Sequence, residues 1–198
     1  MNILKYNQFN EKLEIKPVSR ERLLNTKKNE YNTIALGGLL WRTKNETSLV
    51  GADGNPLNEG VYDNNKQEFL DFGDYIIEHG YDNTIYYTFP GALKLVPKGW
   101  RIPTTEDFEK IMKYGKHLIS KDNKCTDKYG FDAKLLGFSR RPFVNGFDSC
   151  ASFWCVDDKN PKKAKCFMIT KKDKPYCKIS DIKNEYYIGM SVRLCKDL

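Results

Sequence analysis

One short stretch, residues 97–104, constrains the fold of this chain more than any other; it reads P-K-G-W-R-I-P-T. Pro97 fixes its own φ angle and Gly99 tolerates positive φ, so the pair is typical of a tight turn. Pro103 restricts the residue before it to an extended conformation. The stretch therefore predicts a turn and a short extended segment, with Trp100 as a buried side chain between them.

The element that follows is predicted to be a helix. Thr104 is a typical N-cap residue, and Asp107, three residues later, completes a capping box. Three apolar residues then follow at the i, i+3, i+4 spacing of an amphipathic helix: Phe108, Ile111 and Met112. We therefore expect a helix over residues 105–120 that packs its apolar face against Trp100.

Further sequence blocks occur in a fixed order around this stretch. They are G-L-L-W (38–41) with Asn45, Y-T-F (87–89) with Ala92, G-F-D-A (130–133) with G-F (137–138), F-W (153–154) and G-M-S-V-R (189–193). Together with G-W-R-I-P-T they resemble the Fibrobacter succinogenes major paralogous domain, a relative of the C-type-lectin-like superfamily. The positions that we take as its structural motif are Trp41, Gly99, Trp100, Arg101, Pro103, Thr104, Trp154, Ser191, Val192 and Arg193.

The resemblance covers residues 33–198 and implies an α+β domain with a C-type-lectin-like fold. Such a fold has two helices packed on small mixed or antiparallel sheets, with long loops. The first helix is expected over residues 86–95, with Pro90 in its first turn. Trp154 is interpreted as a core residue. Fold alone does not fix function.

The chain departs from the family pattern at two cysteine positions. Val96 stands where the family has the cysteine of C-P-x-G-W, and Leu194 stands where it has the cysteine of S-V-R-C-V. If the family bridges these positions, both partners are apolar here. The resemblance then implies that this chain does not rely on that disulfide.

The six cysteines are predicted to be reduced and mostly buried thiols. The first seven residues contain neither an apolar signal region nor a cleavage site, and proteins that are not exported keep their thiols reduced. No C-x-x-C pair occurs, and His79 and His117 are isolated, so no metal or other cofactor is expected. No stretch approaches the length of a transmembrane helix, so no membrane partner is expected.

The net charge of +7 raises the question of nucleic-acid binding. Eight lysines lie between residues 159 and 178, but aspartates accompany them and apolar residues alternate with them. That pattern is typical of the solvated face of an amphipathic hairpin, and no nucleic-acid motif accompanies it. Nucleic acid is therefore not the expected partner, whereas weak attraction to an anionic surface stays open.

Residues 1–32 differ from the rest because they are polar and lysine-rich, with scattered apolar residues. They are too few to fold alone, so we expect them to be ordered only by docking, either on a partner or on their own domain. The residues expected to dock are Phe9, Leu13, Ile15, Pro17, Val18 and Leu23. Residues 9–23, F-N-E-K-L-E-I-K-P-V-S-R-E-R-L, also resemble the N-terminal leaders of virion-associated proteins of crAss-like tailed bacteriophages, which implies a docking or packaging peptide.

Elsewhere the pattern predicts mostly short strands. Residues 33–41 are expected to be one buried strand with a kink or bulge at its two glycines, and residues 45–65 a long surface loop. Within that loop, D-G-N at 53–55 predicts a turn rather than a calcium site. Residues 69–77 could be strand or helix. Later strands are expected at 151–156, 164–170, 176–179 and 187–195.

The sequence favours a binding protein over an enzyme. Neither histidine sits in a nucleophile motif, and the carboxylates of Glu106 and Asp107 lie at a helix start, where they are stabilising. The C-x4-C pair at 150–155 has the flanks of a packed strand. The calcium and sugar motifs of lectins are missing, so any recognition would use aromatic and polar loop residues.

The leading hypothesis is a non-catalytic structural or display protein of a tailed-phage virion, made in the host cytoplasm and associated with the capsid or a fibre. Its residues 1–32 would dock on other virion proteins, and its lectin-like domain would face outward or mediate assembly. The alternative is a bacterial cell-surface module, similar to an adhesin, that binds glycan or protein. A partner-binding protein inside the cell is a third option, and homo-oligomers are compatible with each.

Overall fold

The computed structural model of this protein describes residues 32–63, 65–66, 68–78, 83–140, 143–171, 177–182 and 187–198. Residues 1–31 lie outside the described residues, and so do the predicted docking residues Phe9, Leu13, Ile15, Pro17, Val18 and Leu23. His79 lies outside them as well.

The described residues form short strands and two short helices. The helices are α1 (Phe89–Lys94) and α2 (Thr105–Met112), and two 3-10 turns follow α2 at Gly115–Leu118 and Lys121–Asn123. The strands are β1 (Thr33–Leu36), β2 (Leu39–Arg42), β3 (Val61–Asp63), β4 (Glu68–Asp71), β5 (Tyr75–Glu78), β6 (Thr84–Tyr87), β7 (Phe138–Arg140), β8 (Phe143–Asn145), β9 (Cys150–Val156), β10 (Ala164–Thr170), β11 (Cys177–Asp181) and β12 (Cys195–Asp197).

The strands are arranged in several small antiparallel sheets. Two sheets have three strands, in the orders β1-β2-β12 and β11-β10-β9, and three hairpins pair β3 with β4, β5 with β6, and β7 with β8. Every pairing between these strands is antiparallel. The architecture is therefore mixed α+β with a majority of β, as the sequence predicted at the level of class.

The sheet of β9, β10 and β11 lies in the middle of the core. One face contributes Phe153, Phe167 and Ile169 to a first apolar cluster, which also contains residues of β1, β2 and α2. The other face contributes Trp154 and Cys166 to a second apolar cluster, with residues of β5, β6 and α1. Strand β10 does form an antiparallel pair with β11, but the solvated face predicted for that hairpin is wrong for β10, because each face of this strand meets an apolar cluster.

A short extended segment, residues 189–191, joins the small sheets. It bonds to β7 at Ser139, to β6 at Tyr87 and to β9 at Trp154, with backbone N–O distances of 2.8 to 3.1 Å. The continuous strand predicted over residues 187–195 is wrong for this reason. The chain passes from one partner strand to the next, forms isolated bridges, and becomes a regular strand only in β12.

The two glycines near the start of the domain form a hairpin turn rather than a kink or bulge in one strand. Gly37 and Gly38 have φ angles of +63° and +82°. Two successive positive φ angles reverse the chain and match the twist of an antiparallel pair. Strands β1 and β2 therefore pair with each other, and Ile34 lies opposite Trp41.

Both helices are shorter than predicted. Helix α1 begins at Phe89 because Thr88 caps it, accepting a hydrogen bond from the Gly91 backbone N at 3.3 Å, while the residues before Thr88 belong to β6. Helix α2 ends at Met112, and Gly115, with φ of +47°, begins a 3-10 turn instead of a further α-helical turn. None of the described helices is long and apolar enough to cross a membrane.

Other local predictions can be compared with the structure directly. Residues 69–77, which the sequence left undecided, fall in β4 and β5. The turn at residues 53–55 is confirmed, since the Asn55 backbone N donates to Asp53 Oδ1 at 2.9 Å. The strand at 164–170 is confirmed, and the strands at 151–156 and 176–179 are confirmed with small shifts of their ends.

All six cysteines are free thiols. The two positions that lack the family cysteines behave as apolar residues: Leu194 belongs to the second cluster and Val96 packs against it. Apolar packing therefore occupies the place where the resemblance would put a bridge.

Candidate functional site

The most enclosed polar group of the motif is the guanidinium of Arg193. Its side chain is completely buried. A buried charge is costly unless its hydrogen bonds are made, and a guanidinium has five N–H donors to satisfy. The surrounding residues therefore have to supply acceptors for all of these donors.

All five donors of Arg193 are used. Nε and Nη2 both donate to Asn45 Oδ1, at 3.2 and 2.6 Å. Nη1 donates to the backbone oxygens of Arg42, at 3.1 Å, and of Phe131, and Nη2 also donates to the backbone oxygen of Asp132 at 3.3 Å. The guanidinium thus connects β2, the loop after β2, and the loop before β7 to the C-terminal segment.

These acceptors are neutral, and two aromatic rings complete the enclosure. The guanidinium carbon lies 4.8 Å from the ring centre of Phe131 and 5.4 Å from that of Phe153. Burial lowers the pKa of Arg193 to about 10, partly offset by the negative charge of Asp132. Arg193 therefore remains a cation at neutral pH, held by carbonyl and amide oxygens.

Asn45 is oriented by the same segment that it binds. Its Nδ2 donates to Ser191 Oγ at 3.1 Å, which leaves Oδ1 to face the guanidinium. Ser191 and Val192 are buried next to Arg193 in the chain. Motif residues 191–193 therefore contact Asn45 of the loop after β2. Nearly 150 residues separate the two sides of this contact in the sequence.

The second motif arginine, Arg101, connects α2 to β12. Its Nη1 and Nη2 both donate to the Asp107 carboxylate, and Nη2 also donates to Asp197 Oδ1 at 3.0 Å. Its backbone N and O exchange hydrogen bonds with Cys195, at 2.9 and 3.1 Å. Hydrogen bonds to Asp107 raise the pKa of Arg101, so this group is a permanent cation.

Asp107 also completes the predicted capping box, which the structure confirms. Its Oδ2 accepts from the Thr104 backbone N at 2.8 Å, and Thr104 Oγ1 accepts from the Asp107 backbone N at 3.2 Å. Burial opposes ionisation of Asp107, but the bonds from Arg101 and Thr104 outweigh it and hold its pKa below the ordinary value of 3.8. Pro103 is buried beside this cap, and its backbone O accepts a hydrogen bond from the Val156 backbone N of β9 at 3.0 Å.

Trp100 is not the buried side chain that the sequence predicted. The predicted turn exists, since Gly99 has φ of +80° and the Trp100 N donates to Pro97 O at 3.0 Å. The indole is only half-buried at the edge of the second cluster, with the Arg42 guanidinium 4.7 Å and the Lys196 ammonium 5.1 Å from its ring. The Arg42 guanidinium is itself buried, whereas the Lys196 ammonium is half-exposed and stays hydrated, so the ring beside it stays near solvent.

The two fully buried tryptophans are Trp41 and Trp154. Trp41 Nε1 donates to Leu36 O at 2.9 Å, and Trp154 Nε1 donates to Tyr87 O at 2.7 Å. Trp41 lies in the first cluster and Trp154 in the second, so the core assignment of Trp154 is confirmed. These two rings, rather than Trp100, anchor the sheets.

The described side chains that offer a thiol or an imidazole are the cysteines and His117. Burial raises the pKa of Cys166 and of Cys195 to about 12 and that of Cys177 to about 11, so these thiols are protonated at neutral pH. His117 has its Nδ1 2.8 Å from Thr126 Oγ1. No group of three or more histidine, cysteine, aspartate or glutamate side chains converges on a metal position within the described residues.

An exposed apolar surface occurs on the hairpin of β3 and β4, here called the acidic hairpin (residues 59–71). Val61 and Leu70 are 50% and 59% exposed, so the fold leaves their apolar side chains uncovered. Tyr62 and Phe69 lie opposite each other across the hairpin, with ring centres 5.0 Å apart. The register shifts next to Val61, so the hairpin carries a bulge.

The aromatic side of the hairpin continues into a row of rings. Phe72 lies 4.8 Å from Phe69, and Tyr187, which is 49% exposed, lies 4.3 Å from Phe72. The row ends at the surface beside the segment that joins the sheets. Contacts of this kind stiffen the hairpin against the body of the domain.

The base of the acidic hairpin is held rigidly. The backbone at Gly73 packs directly against the backbone at Gly60. A Cβ at Gly73, where φ is +58°, would lie 2.5 Å from the Gly60 backbone N, so only glycine fits there. Asp74 accepts from the Asn58 backbone N at 3.1 Å and pairs with Lys94 of α1 at 2.8 Å. The sequence did not predict this surface, because residues 69–77 showed no clear helix or strand periodicity. The Y-D stretch at 62–63 and the E-F-L-D stretch at 68–71 were the signal from which a hairpin could have been predicted.

Comparison with known proteins gives one match. The family model of the Fibrobacter succinogenes major domain matches residues 34–196. The chain belongs to this family. No curated protein and no solved structure matches it.

The contacts in this structure explain what the motif residues of the Fibrobacter succinogenes major domain do in this chain. The asparagine after the first tryptophan and the arginine of S-V-R form the buried network, and the arginine of G-W-R binds the helix cap. The exposed residues of the acidic hairpin lie outside these blocks. In this chain the motif side chains therefore hold the fold together, and the exposed apolar residues of the hairpin take no part in that network.

We expect Arg193→Lys to lower the free energy of unfolding by about 3 kcal/mol or more, because lysine has fewer donors and leaves buried oxygens without partners. Urea denaturation followed by tryptophan fluorescence measures the change. The matched control is Arg140→Lys at an exposed position, which should cost less than about 0.5 kcal/mol. Equal effects of the two substitutions would contradict the role assigned to Arg193.

We expect the acid sensitivity of the fold to depend on Asp107. Its folded pKa is lowered, so its stabilisation is present above about pH 4 and is lost as the pH falls through the folded value. Asp107→Asn should be less stable at pH 7 and should lose less further stability on acidification. Denaturation midpoints at a series of pH values measure this, with Glu109→Gln, at an exposed position of the same helix, as the control. If the stability of Asp107→Asn fell with decreasing pH as steeply as that of the wild-type protein, this role of Asp107 would be refuted.

Proposed function

We propose that this protein is a non-catalytic structural or display component of a tailed-phage virion, with a C-type-lectin-like domain that contacts a partner through the acidic hairpin. The observation that carries the proposal is the division of the described residues into two sets. Most of the motif side chains bond to groups inside the fold, whereas Val61 and Leu70 of the rigid hairpin, and Tyr187 at the end of the aromatic row beside it, are exposed. Exposed apolar groups on a rigid scaffold favour contact with another molecule.

The state of the reactive groups supports binding rather than catalysis. Arg101 and Asp107 hold each other, Arg193 has no free donor, and the buried thiols are protonated. A catalytic site would require a nucleophile or base within reach of a substrate. These side chains instead act as parts of the framework.

The phage assignment depends on the N-terminal segment. Residues 1–32 resemble leaders of virion-associated proteins, and we propose that they dock the protein on a capsid or fibre subunit after synthesis in the host cytoplasm. They lie almost wholly outside the described residues, so the support for this step comes from sequence. The domain would then stand outward on the particle or join neighbouring subunits.

A cell-surface module that binds glycan or protein is the second candidate. Tyr187 favours it, because a half-exposed ring at the end of an aromatic row can stack on an apolar face of a ligand, with the carboxylates of the hairpin nearby. In that case the protein would be found on cells rather than on particles.

We expect deletion of residues 1–32 to abolish incorporation into particles while the remaining domain stays folded. Mass spectrometry of purified particles measures incorporation, and circular dichroism checks the fold. The control is a full-length chain in which residues 1–32 are shuffled at constant composition; it should also be lost from particles.

Two outcomes would count against the proposal. If the truncated chain is incorporated as well as the full chain, the docking role is wrong. If particles contain neither form and the full chain binds a glycan array, the cell-surface candidate replaces the virion assignment.

A further inference from the structure

A second exposed surface lies after α2, here called the tyrosine patch (residues 113–129). Tyr114 and Tyr129 are half-buried, with ring centres 4.3 Å apart. The ammonium groups of Lys113 and Lys128 lie 5.3 and 5.7 Å from these two rings. The patch therefore combines flat aromatic area with positive charge.

The tyrosine patch is basic and its lysines are exposed. Residues 113–129 contain five lysines and two aspartates, a net charge of +3 with histidine neutral. Asp122 is paired with Lys134, and Asp127, which accepts from the Asp132 backbone N, keeps its negative charge within that net value. The lysines at 113, 116, 121, 124 and 128 are all exposed. Positive charge therefore dominates at this surface.

The acidic hairpin has the opposite character. Residues 59–71 contain four carboxylates and one lysine, a net charge of −3 in a chain whose total is +7. Asp63 and Glu68 are paired directly across the two strands, an arrangement of like charges that is unfavourable without a nearby cation. Exposed apolar area at Val61 and Leu70 lies among these carboxylates.

The two surfaces belong to different halves of the molecule. Tyr114 and Tyr129 pack against the first cluster, whereas the hairpin is joined at Tyr75 to the second cluster. The sheet of β9, β10 and β11 separates these clusters. Within one copy the surfaces are therefore attached to opposite sides of the central sheet.

We propose that the acidic hairpin of one copy binds the tyrosine patch of a second copy. The net charges of the two surfaces are equal and opposite, and each offers apolar or aromatic area to cover. Because the two surfaces differ, the contact is heterologous, so it generates either a closed ring or an open array. This inference rests on the proposed role of the hairpin as a contact surface, and it names the partner as the chain itself.

The test is sedimentation velocity of the full chain over a range of concentrations, at about 0.02 M and about 0.3 M salt, because screening weakens exposed charge pairs. The wild-type protein should show a sedimentation coefficient that rises with concentration at low salt and rises less at high salt. Glu59→Lys with Glu68→Lys makes both surfaces positive, and Lys116→Glu with Lys128→Glu makes both negative. Each double variant alone should remain a monomer.

Mixing the two double variants should restore association, because every contact between unlike copies is then a pair of opposite charges. A merely misfolded variant would not show this rescue. The control is Lys159→Glu with Lys162→Glu in the exposed turn between β9 and β10, which changes the net charge by the same amount as the patch variant. The control should associate like the wild-type protein.

A wild-type protein that stays monomeric at both salt concentrations would overturn the proposal, and so would a mixture that fails to associate. Neither result bears on incorporation into particles, which the leader deletion tests separately. If the wild-type protein associates but both charge variants do so equally, another surface mediates the contact and the proposal is likewise wrong.

Discussion

The structure depends on one buried cation. The Arg193 guanidinium has no contact with solvent, and its five donors are matched by four oxygens from β2 and two loops. Removing such a group from water is favourable only if every donor finds an acceptor, so all of these segments must reach their positions together. Backbone hydrogen bonds from Arg42 to Leu194 and from Glu46 to Val192 already join β2 and its following loop to the C-terminal segment, and the guanidinium adds the loop before β7 to them.

Such coupling matters because the sheets are small. Sheets of two or three short strands are marginal on their own and need packing against other elements. The clusters on the two faces of the central sheet supply that packing, and the arginines supply connections at its margins. Arg193 binds neutral oxygens in the interior, whereas Arg101 binds carboxylates at a half-exposed site between α2 and β12. Both arginines connect separate elements, Arg193 in the low-dielectric interior and Arg101 closer to water.

The sequence predicted some short-range features correctly, but not the lengths of the helices, the path of residues 187–195 or the exposure of Trp100. The turn at Gly99 and the capping box of Thr104 with Asp107 follow from short-range chemistry and are confirmed, as is the family. Trp100 was wrongly placed in the core, because a turn motif does not reveal that two cations lie on its ring. The partner of Arg193 could not be derived either, since Asn45 lies far away in sequence. The acidic hairpin was missed because its bulge breaks the alternation that marks a strand.

The most direct test of this account is a double-mutant cycle between Asn45 and Arg193, measured as free energies of unfolding in urea for Asn45→Ala, Arg193→Met and the double variant. If the guanidinium and the amide act as one unit, the double variant should be less destabilised than the sum of the single variants, by about 1 to 3 kcal/mol. Additivity to within about 0.5 kcal/mol would contradict the claim that this network joins the sheets.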